Sequence, residues 1–280
     1  MVMSQTEVDM AYTDRGSGPE IILLHGYPFD RSMWREQIDF LNSHGFRVLA
    51  PDLRGFGESV APTSICVSSD TDYRPESVPL SPMEDMARDV SALMDELKID
   101  QAAICGLSMG GYVAFEFVHL FPTRARALIL AGTRAPADNE QERQTRFQQV
   151  EQMLAKGMGG VAEASLPRLL APRTLAEKPE VVTRLREMIL RADPRGAAAA
   201  QRGMAARRDY SDDLAGIDAP TLVIVGRDDP IRPVADAEFM HDRIRESRLQ
   251  IIEDAAHMTN MEQPEIFNQT LLDFLARLTH

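Results

Sequence analysis

The stretch Ile104-Cys105-Gly106-Leu107-Ser108-Met109-Gly110-Gly111 constrains this chain more than any other. An apolar run, Ala102 to Leu107, leads into it, and an apolar-periodic run, Tyr112 to Phe121, leads out. Read as strand, sharp turn and helix, the pattern leaves Ser108 at the apex of the turn. The tightness explains the glycines. A serine there sits in strained backbone, and a side chain at Gly106 or Gly110 would collide across the turn. The helix starts near Met109, so its free N–H groups and the positive end of its dipole face the serine oxygen. At ordinary Gly and Ser usage, G-x-S-x-G arises by accident about 0.1 times in a chain this long. Alone, it reads equally as a glycine-rich corner with an incidental serine, so the surrounding pattern has to decide.

That pattern is an alternation of strands and helices. Val8 to Tyr12 alternates as a short strand, and Gly16-Ser17-Gly18-Pro19 turns the chain. Ile21 to Leu24 is a continuous apolar run, as in a strand buried on both faces, and it ends at His25-Gly26-Tyr27-Pro28. Arg31 to Asn42 reads as an amphipathic helix, Arg47 to Ala50 as a strand, and Pro82 to Leu97 as a helix. Ala127 to Ala131, Thr221 to Gly226 and Leu249 to Ile252 are further strands, with helices over Val234 to Arg245 and from Pro264 onwards. Such an order predicts an α/β fold with a mostly parallel sheet and helices on both faces. Two segments interrupt it. Val60 to Ser81 is polar and aperiodic, an exposed loop long enough to point to function or disorder. Residues 134–213 show no strand but helical patterns over Glu140 to Lys156, Val161 to Leu170 and Pro179 to Ala192, plus the run Ala197 to Ala200. They read as an inserted helical cap, with 1–133 and 214–280 as the core domain and the cap charges mostly a solvated helix face.

Composition excludes some partners. The net charge of -13 argues against nucleic acid, itself a polyanion. No run approaches membrane-spanning length, and no basic, apolar leader opens the chain, so the expectation is a cytoplasmic protein without a membrane partner. Cys66 and Cys105 match neither a disulfide framework nor a zinc site, and Cys105 packs in an apolar strand. No metal and no organic cofactor is expected.

Ligands of open parallel sheets bind beyond the carboxyl ends of the strands. Ser108, Asp228 or Asp229, His257 and the His25-Gly26-Tyr27 corner all fall just after strand ends, so one rim of the sheet should gather them. A serine hydroxyl needs a base to act as nucleophile. Histidine suits by its pKa, and a carboxylate fixes its tautomer. The order serine, acid, histidine is that of a nucleophile-elbow hydrolase.

Four pieces, His25-Gly26-Tyr27-Pro28, Asp52-Leu53-Arg54-Gly55-Phe56-Gly57-Glu58-Ser59, Gly106-Leu107-Ser108-Met109-Gly110-Gly111, and Gly226-Arg227-Asp228-Asp229 with His257, resemble the α/β-hydrolase fold family over essentially the whole chain. The resemblance implies Ser108 as nucleophile, His257 as base and Asp229 as acid, with Asp228 the rival. It also implies an oxyanion hole from the backbone N–H groups of Tyr27 and Met109. His25 and the turn from Asp52 to Ser59 are expected to be scaffold, with Arg54 pairing locally. The family usually opens with two strands, and the region before Ile21 is short for both. Serine rather than aspartate at 108 argues against the dehalogenase and epoxide-hydrolase branches. The wording of the motifs is similar to the branch of carboxylesterases and 3-oxoadipate enol-lactonases. It implies a carboxylic-ester hydrolase acting through an acyl-enzyme, and a helical cap of this size points to a small or medium acyl ester in a closed pocket. Enol-lactone hydrolysis is the alternative; perhydrolysis and ligand binding without turnover stand further off.

Overall fold

A computed structural model describes residues 10–59 and 80–279. Val8, Asp9, Cys66 and most of the loop expected over Val60 to Ser81 lie outside them. The described strands are β1 (Tyr12–Arg15), β2 (Glu20–Leu24), β3 (Arg47–Pro51), β4 (Ala102–Leu107), β5 (Ala125–Ala131), β6 (Thr221–Gly226) and β7 (Ser247–Ile252). They form one sheet in the order β1-β3-β2-β4-β5-β6-β7, in which β1 is antiparallel to β3 and every other pair is parallel. The apolar runs become central strands because their residues are covered on both faces: β4 and β6 are buried along their whole length. Edge strands differ, with β1 and β7 half-exposed. Among the described residues one antiparallel strand precedes β2, in line with the short segment before Ile21.

Helices α1 (Arg35–Ser43), α2 (Met83–Glu96), α3 (Met109–Leu120), α9 (Val234–His241), α10 (Thr259–Glu262) and α11 (Pro264–Leu275) belong to this layer system. α1 packs with α11, where the Trp34 and Phe267 rings lie 6.0 Å apart, and α2 packs with α3. The buried face of α2 is the apolar one that its periodicity marks, Met86, Val90, Leu93 and Met94. Arg54 does not pair within its own turn: it reaches Asp89 at 2.5 Å and Asp85 at 3.1 Å, both on α2. The carboxylate of Asp52 instead holds Arg31 and accepts from the Glu58 N–H.

Between β5 and β6 the chain forms five consecutive helices: α4 (Glu140–Lys156), α5 (Met158–Leu169), α6 (Pro172–Glu177), α7 (Pro179–Arg191) and α8 (Pro194–Ala205). The α4 helix opens with a capping box between Asn139 and Glu142. The alanine run lies in α8, buried, because α8 sits directly on the turn after β3. A Cβ on Gly196 would overlap the Gly55 carbonyl, and the Ser81 N–H donates to the Ala199 carbonyl at 3.1 Å. Ion pairs from α7 to the core, Arg184 to Glu36 and Arg191 to Asp30, tie down the other side.

Topology dictates where a ligand goes. From β2 the chain crosses to β3 on one side, then returns past β2 to β4 on the other, so the switch point lies between β2 and β4. The register aligns Leu24 with Gly106, Leu107 with Ala131, Ala131 with Ile224 and Gly226 with Ile252, so the carboxyl ends of these five strands lie along one rim, with β6 and β7 running two residues past β5. His25, Ser108, Gly132 and Arg227 each follow one of these ends.

Candidate active site

Ser108 joins β4 to α3 with φ 55° and ψ −111°, a positive φ that side-chain-bearing residues rarely adopt. The turn is held from both sides. The Ser108 N–H donates to the Ala131 carbonyl at 2.8 Å, and its carbonyl accepts from Thr133 Oγ1 at 2.9 Å and the Gly111 N–H at 3.0 Å. A Cβ at Gly106 would overlap the Gly110 carbonyl oxygen, the collision across the turn that the motif predicts. At Gly110 the reason is different: a Cβ there would strike the Leu24 carbonyl at the end of β2. Gly110 thus sets how closely the helix approaches the neighbouring strand rather than closing its own turn.

The β2 corner is positioned by His25. Its ring is buried, with Nε2 accepting from the Leu53 N–H at 2.9 Å and Nδ1 donating to the Gly26 carbonyl at 2.9 Å. Burial pushes its pKa down, which keeps this tautomer neutral. The Gly26 carbonyl also accepts from the Phe29 N–H at 3.0 Å. That carbonyl and the Tyr27 N–H belong to one planar peptide and point opposite ways, so pinning one aims the other. Among the described residues, neither the Tyr27 N–H nor the Met109 N–H has an acceptor. The Met109 N–H is one of the free donors at the start of α3.

Asp229 and His257 meet from the ends of β6 and β7. Asp229 Oδ2 lies 2.7 Å from His257 Nδ1, and its Oδ1 accepts from the N–H groups of Ile231 at 2.8 Å and Arg232 at 2.9 Å. Both side chains are buried, whereas Asp228 is exposed and its N–H is used on the Ala255 carbonyl. Of the two rivals, therefore, Asp229 is the one beside the imidazole. Gly226 lets the histidine loop come this close, since a Cβ there would overlap the Ala256 carbonyl.

Two supports of this loop have no counterpart in the sequence reading. The N–H groups of His257 and Met258 both donate to the Leu169 carbonyl at 3.1 Å. The buried Glu262 carboxylate accepts from the Ala256 N–H at 2.8 Å and from Ala171 at 2.7 Å, and burial pushes its pKa up. An acidic residue five positions after His257, directly after the apolar Met261, was the available signal.

A cavity of about 360 Å³ opens at this rim, lined by Ser108, His257 and Tyr27 and roofed by residues of α4, α5 and α8. Among the described residues no hydrogen bond joins Ser108 to His257, although both face the cavity; such bonds often tighten only with substrate bound. The lining is more charged than a solvated helix face allows. Asp138, Glu142, Arg146 and Arg168 from the inserted helices and their approach face inward, joined by Arg232 and the buried Tyr112. Among the described residues no group of His, Cys, Asp and Glu side chains is placed to hold a metal ion.

Residues 19–264 match the family model of the alpha/beta hydrolase fold. The chain belongs to the α/β-hydrolase fold family. Relatives of this hydrolase include 3-oxoadipate enol-lactonase 2 of Acinetobacter baylyi (strain ATCC 33305 / BD413 / ADP1), 31% identical over 96% of the chain and 94% of the relative. A thermophilic esterase from Thermogutta terrifontis, solved with malate bound, is 39% identical with a TM-score of 0.89, covering 97% of this chain and 94% of that one. The enol-lactonase from Burkholderia xenovorans LB400 is 30% identical with a TM-score of 0.84, covering 96% and 97%. No described helix is long and apolar enough to cross a membrane.

Proposed function

We propose that this hydrolase cleaves small carboxylic esters through an acyl-enzyme on Ser108, with His257 as base, Asp229 as its acid, and α4–α8 as a cap over the site. The observation that carries the reading is the 2.7 Å contact between Asp229 Oδ2 and His257 Nδ1 at the cavity onto which Ser108 opens. With Nδ1–H engaged by the carboxylate, Nε2 is the free basic nitrogen. It takes the Ser108 proton as Oγ attacks the ester carbonyl. The carbonyl oxygen becomes an oxyanion facing the N–H groups of Tyr27 and Met109, each such donor contributing about 3 kcal/mol in the transition state. Collapse expels the alcohol, which takes the proton from His257, and leaves the acyl group on Ser108. His257 then activates water, and the same steps in reverse order release the acid. Every proton stays within reach of one imidazole, so no metal or organic cofactor enters.

Enol-lactone hydrolysis is the second reading, favoured by the two relatives of that name and by the charged lining of the cavity. It uses the same acyl-enzyme, with the leaving oxygen still tethered to the acyl chain. The test is hydrolysis of p-nitrophenyl acetate and butyrate by wild type and Ser108→Ala, with mass spectrometry after phenylmethanesulfonyl fluoride. Activity lost in Ser108→Ala and an adduct on Ser108 are expected. Equal rates, or an adduct elsewhere, would overturn the assignment.

A further inference from the structure

The charges around the cavity do not balance. Its two lining carboxylates are already engaged: Asp138 pairs with Arg134 at 2.9 Å, with Arg207 at 2.7 Å and with Arg146, and Glu142 pairs with Arg134 at 2.7 Å. Arg232 meets no carboxylate among the described residues. It donates to the Ile231 carbonyl at 2.7 Å and to the Tyr112 hydroxyl at 2.5 Å, and its Nε is buried without a partner. Asp236 feels the charge of Arg232 without bonding to it, and burial pushes its carboxyl up, towards the neutral form. Arg168 lines the cavity with no hydrogen bond or ion pair to any described residue. The excess positive field registers on Tyr112. Burial alone would raise this phenol, yet Arg232, Arg207 and Arg146 outweigh it and bring it down to about 8. A cationic interior is thus enclosed in a chain whose net charge is -13.

We infer that the cavity holds an anion-binding subsite, formed by Arg232 and Arg168, for a carboxylate that the substrate carries away from its scissile bond. The inference rests on the proposed esterase or lactonase reading and names its substrate class. Guanidinium suits a carboxylate because its planar fork donates two parallel hydrogen bonds, and a buried N–H without an acceptor costs free energy that such a ligand recovers. Position fits as well. Tyr112, which Arg232 holds, lies four residues after Ser108 on α3, a rise of about 6 Å. That is the reach of a short dicarboxylic half-ester lying across the cavity. The overall negative charge repels such a substrate at long range, so preference has to come from contacts inside the cavity rather than from steering.

The experiment compares kcat/KM for p-nitrophenyl hydrogen glutarate with that for p-nitrophenyl methyl glutarate, identical but for the capped charge. Wild type is expected to favour the acid by about tenfold or more, mainly through KM. Arg168→Gln and Arg232→Gln are each expected to bring that ratio towards unity; Arg168 is exposed, so its variant keeps the test open if Arg232→Gln fails to fold. Calorimetry on Ser108→Ala supplies a readout without turnover, in which monomethyl glutarate should bind more tightly than dimethyl glutarate. Equal handling of charged and neutral compounds in both experiments, or ratios unmoved by the Arg168 substitution, would overturn the subsite. Hydrolysis that survives in Ser108→Ala would overturn the proposed mechanism instead, while the binding comparison still decides the anion site.

Discussion

Replacing Ser108 by glycine should stabilise the protein relative to replacing it by alanine, the reverse of the usual order of these two residues. The backbone at Ser108 has φ 55° and ψ −111°, and such sparsely populated conformations cost about 1–3 kcal/mol for a residue with a Cβ. Alanine keeps the Cβ and therefore the strain; glycine relieves it. Against that relief stands the greater freedom of glycine in the unfolded chain, about 0.4–1 kcal/mol. Other terms cancel or vanish. Both variants lack the hydroxyl, and the Ser108 side chain makes no capping hydrogen bond to α3. The net difference is about 1 kcal/mol in favour of glycine, which corresponds to about 2–4 °C in Tm for a chain somewhat shorter than this one. Differential scanning calorimetry of both variants, with urea unfolding to check that the slopes agree, measures it directly. An alanine variant as stable as the glycine variant, or more so, would refute the claim that the turn stores strain at Ser108.

Three further outcomes follow from the geometry. Asp229→Asn should lower kcat by about four orders of magnitude, the loss that a wrong histidine tautomer causes, while Asp228→Asn leaves kcat at the wild-type order; the reverse ranking would reassign the acid. Gly110→Ala drives a Cβ into the Leu24 carbonyl and should cost about 3 kcal/mol in urea unfolding, because a central strand cannot yield as a side chain can; a cost below about 1 kcal/mol would contradict the close approach. Asp138→Asn leaves Arg134, Arg146 and Arg207 without their shared counter-charge and should cost about 3–5 kcal/mol at neutral pH. Burial pushes the Asp138 carboxyl up, but Arg146 and Arg207 outweigh it and hold the pKa well below the ordinary 3.8. A carboxylate depressed in the folded state stabilises above its unfolded pKa and loses that contribution as pH falls through the folded value. The gap between wild type and Asp138→Asn should accordingly stay constant above about pH 5 and close progressively in acid. A gap independent of pH would mean that the charge of Asp138 is not what stabilises.

What the sequence could disclose here depended on whether a residue's role is local. The elbow was legible because its constraint is written in neighbouring letters: glycines two before and two after Ser108, an apolar strand before and a helix after. β6 and α4 were likewise bounded to the residue, because an uninterrupted apolar run and a helical pattern are local signals. Where a role depends on a partner distant in sequence, local pattern misleads. Arg54 looked like a turn residue and instead clamps α2, more than thirty positions away. Gly110 looked like part of its own turn and instead makes room for β2. The inserted helices carry the same lesson furthest. Arg146 obeys the spacing of a solvated helix face and Asp138 stands just before that helix, and nothing in their own segment indicates that Arg207, beyond four later helices, will share the same carboxylate. A charged residue on an amphipathic helix is read as solvent-facing because burial of a lone charge is too costly to expect. That expectation fails once several charges converge from separate segments and compensate one another. The tight turn at Ser108 is therefore readable from one dimension, whereas the charged lining of the cavity above it exists only in three.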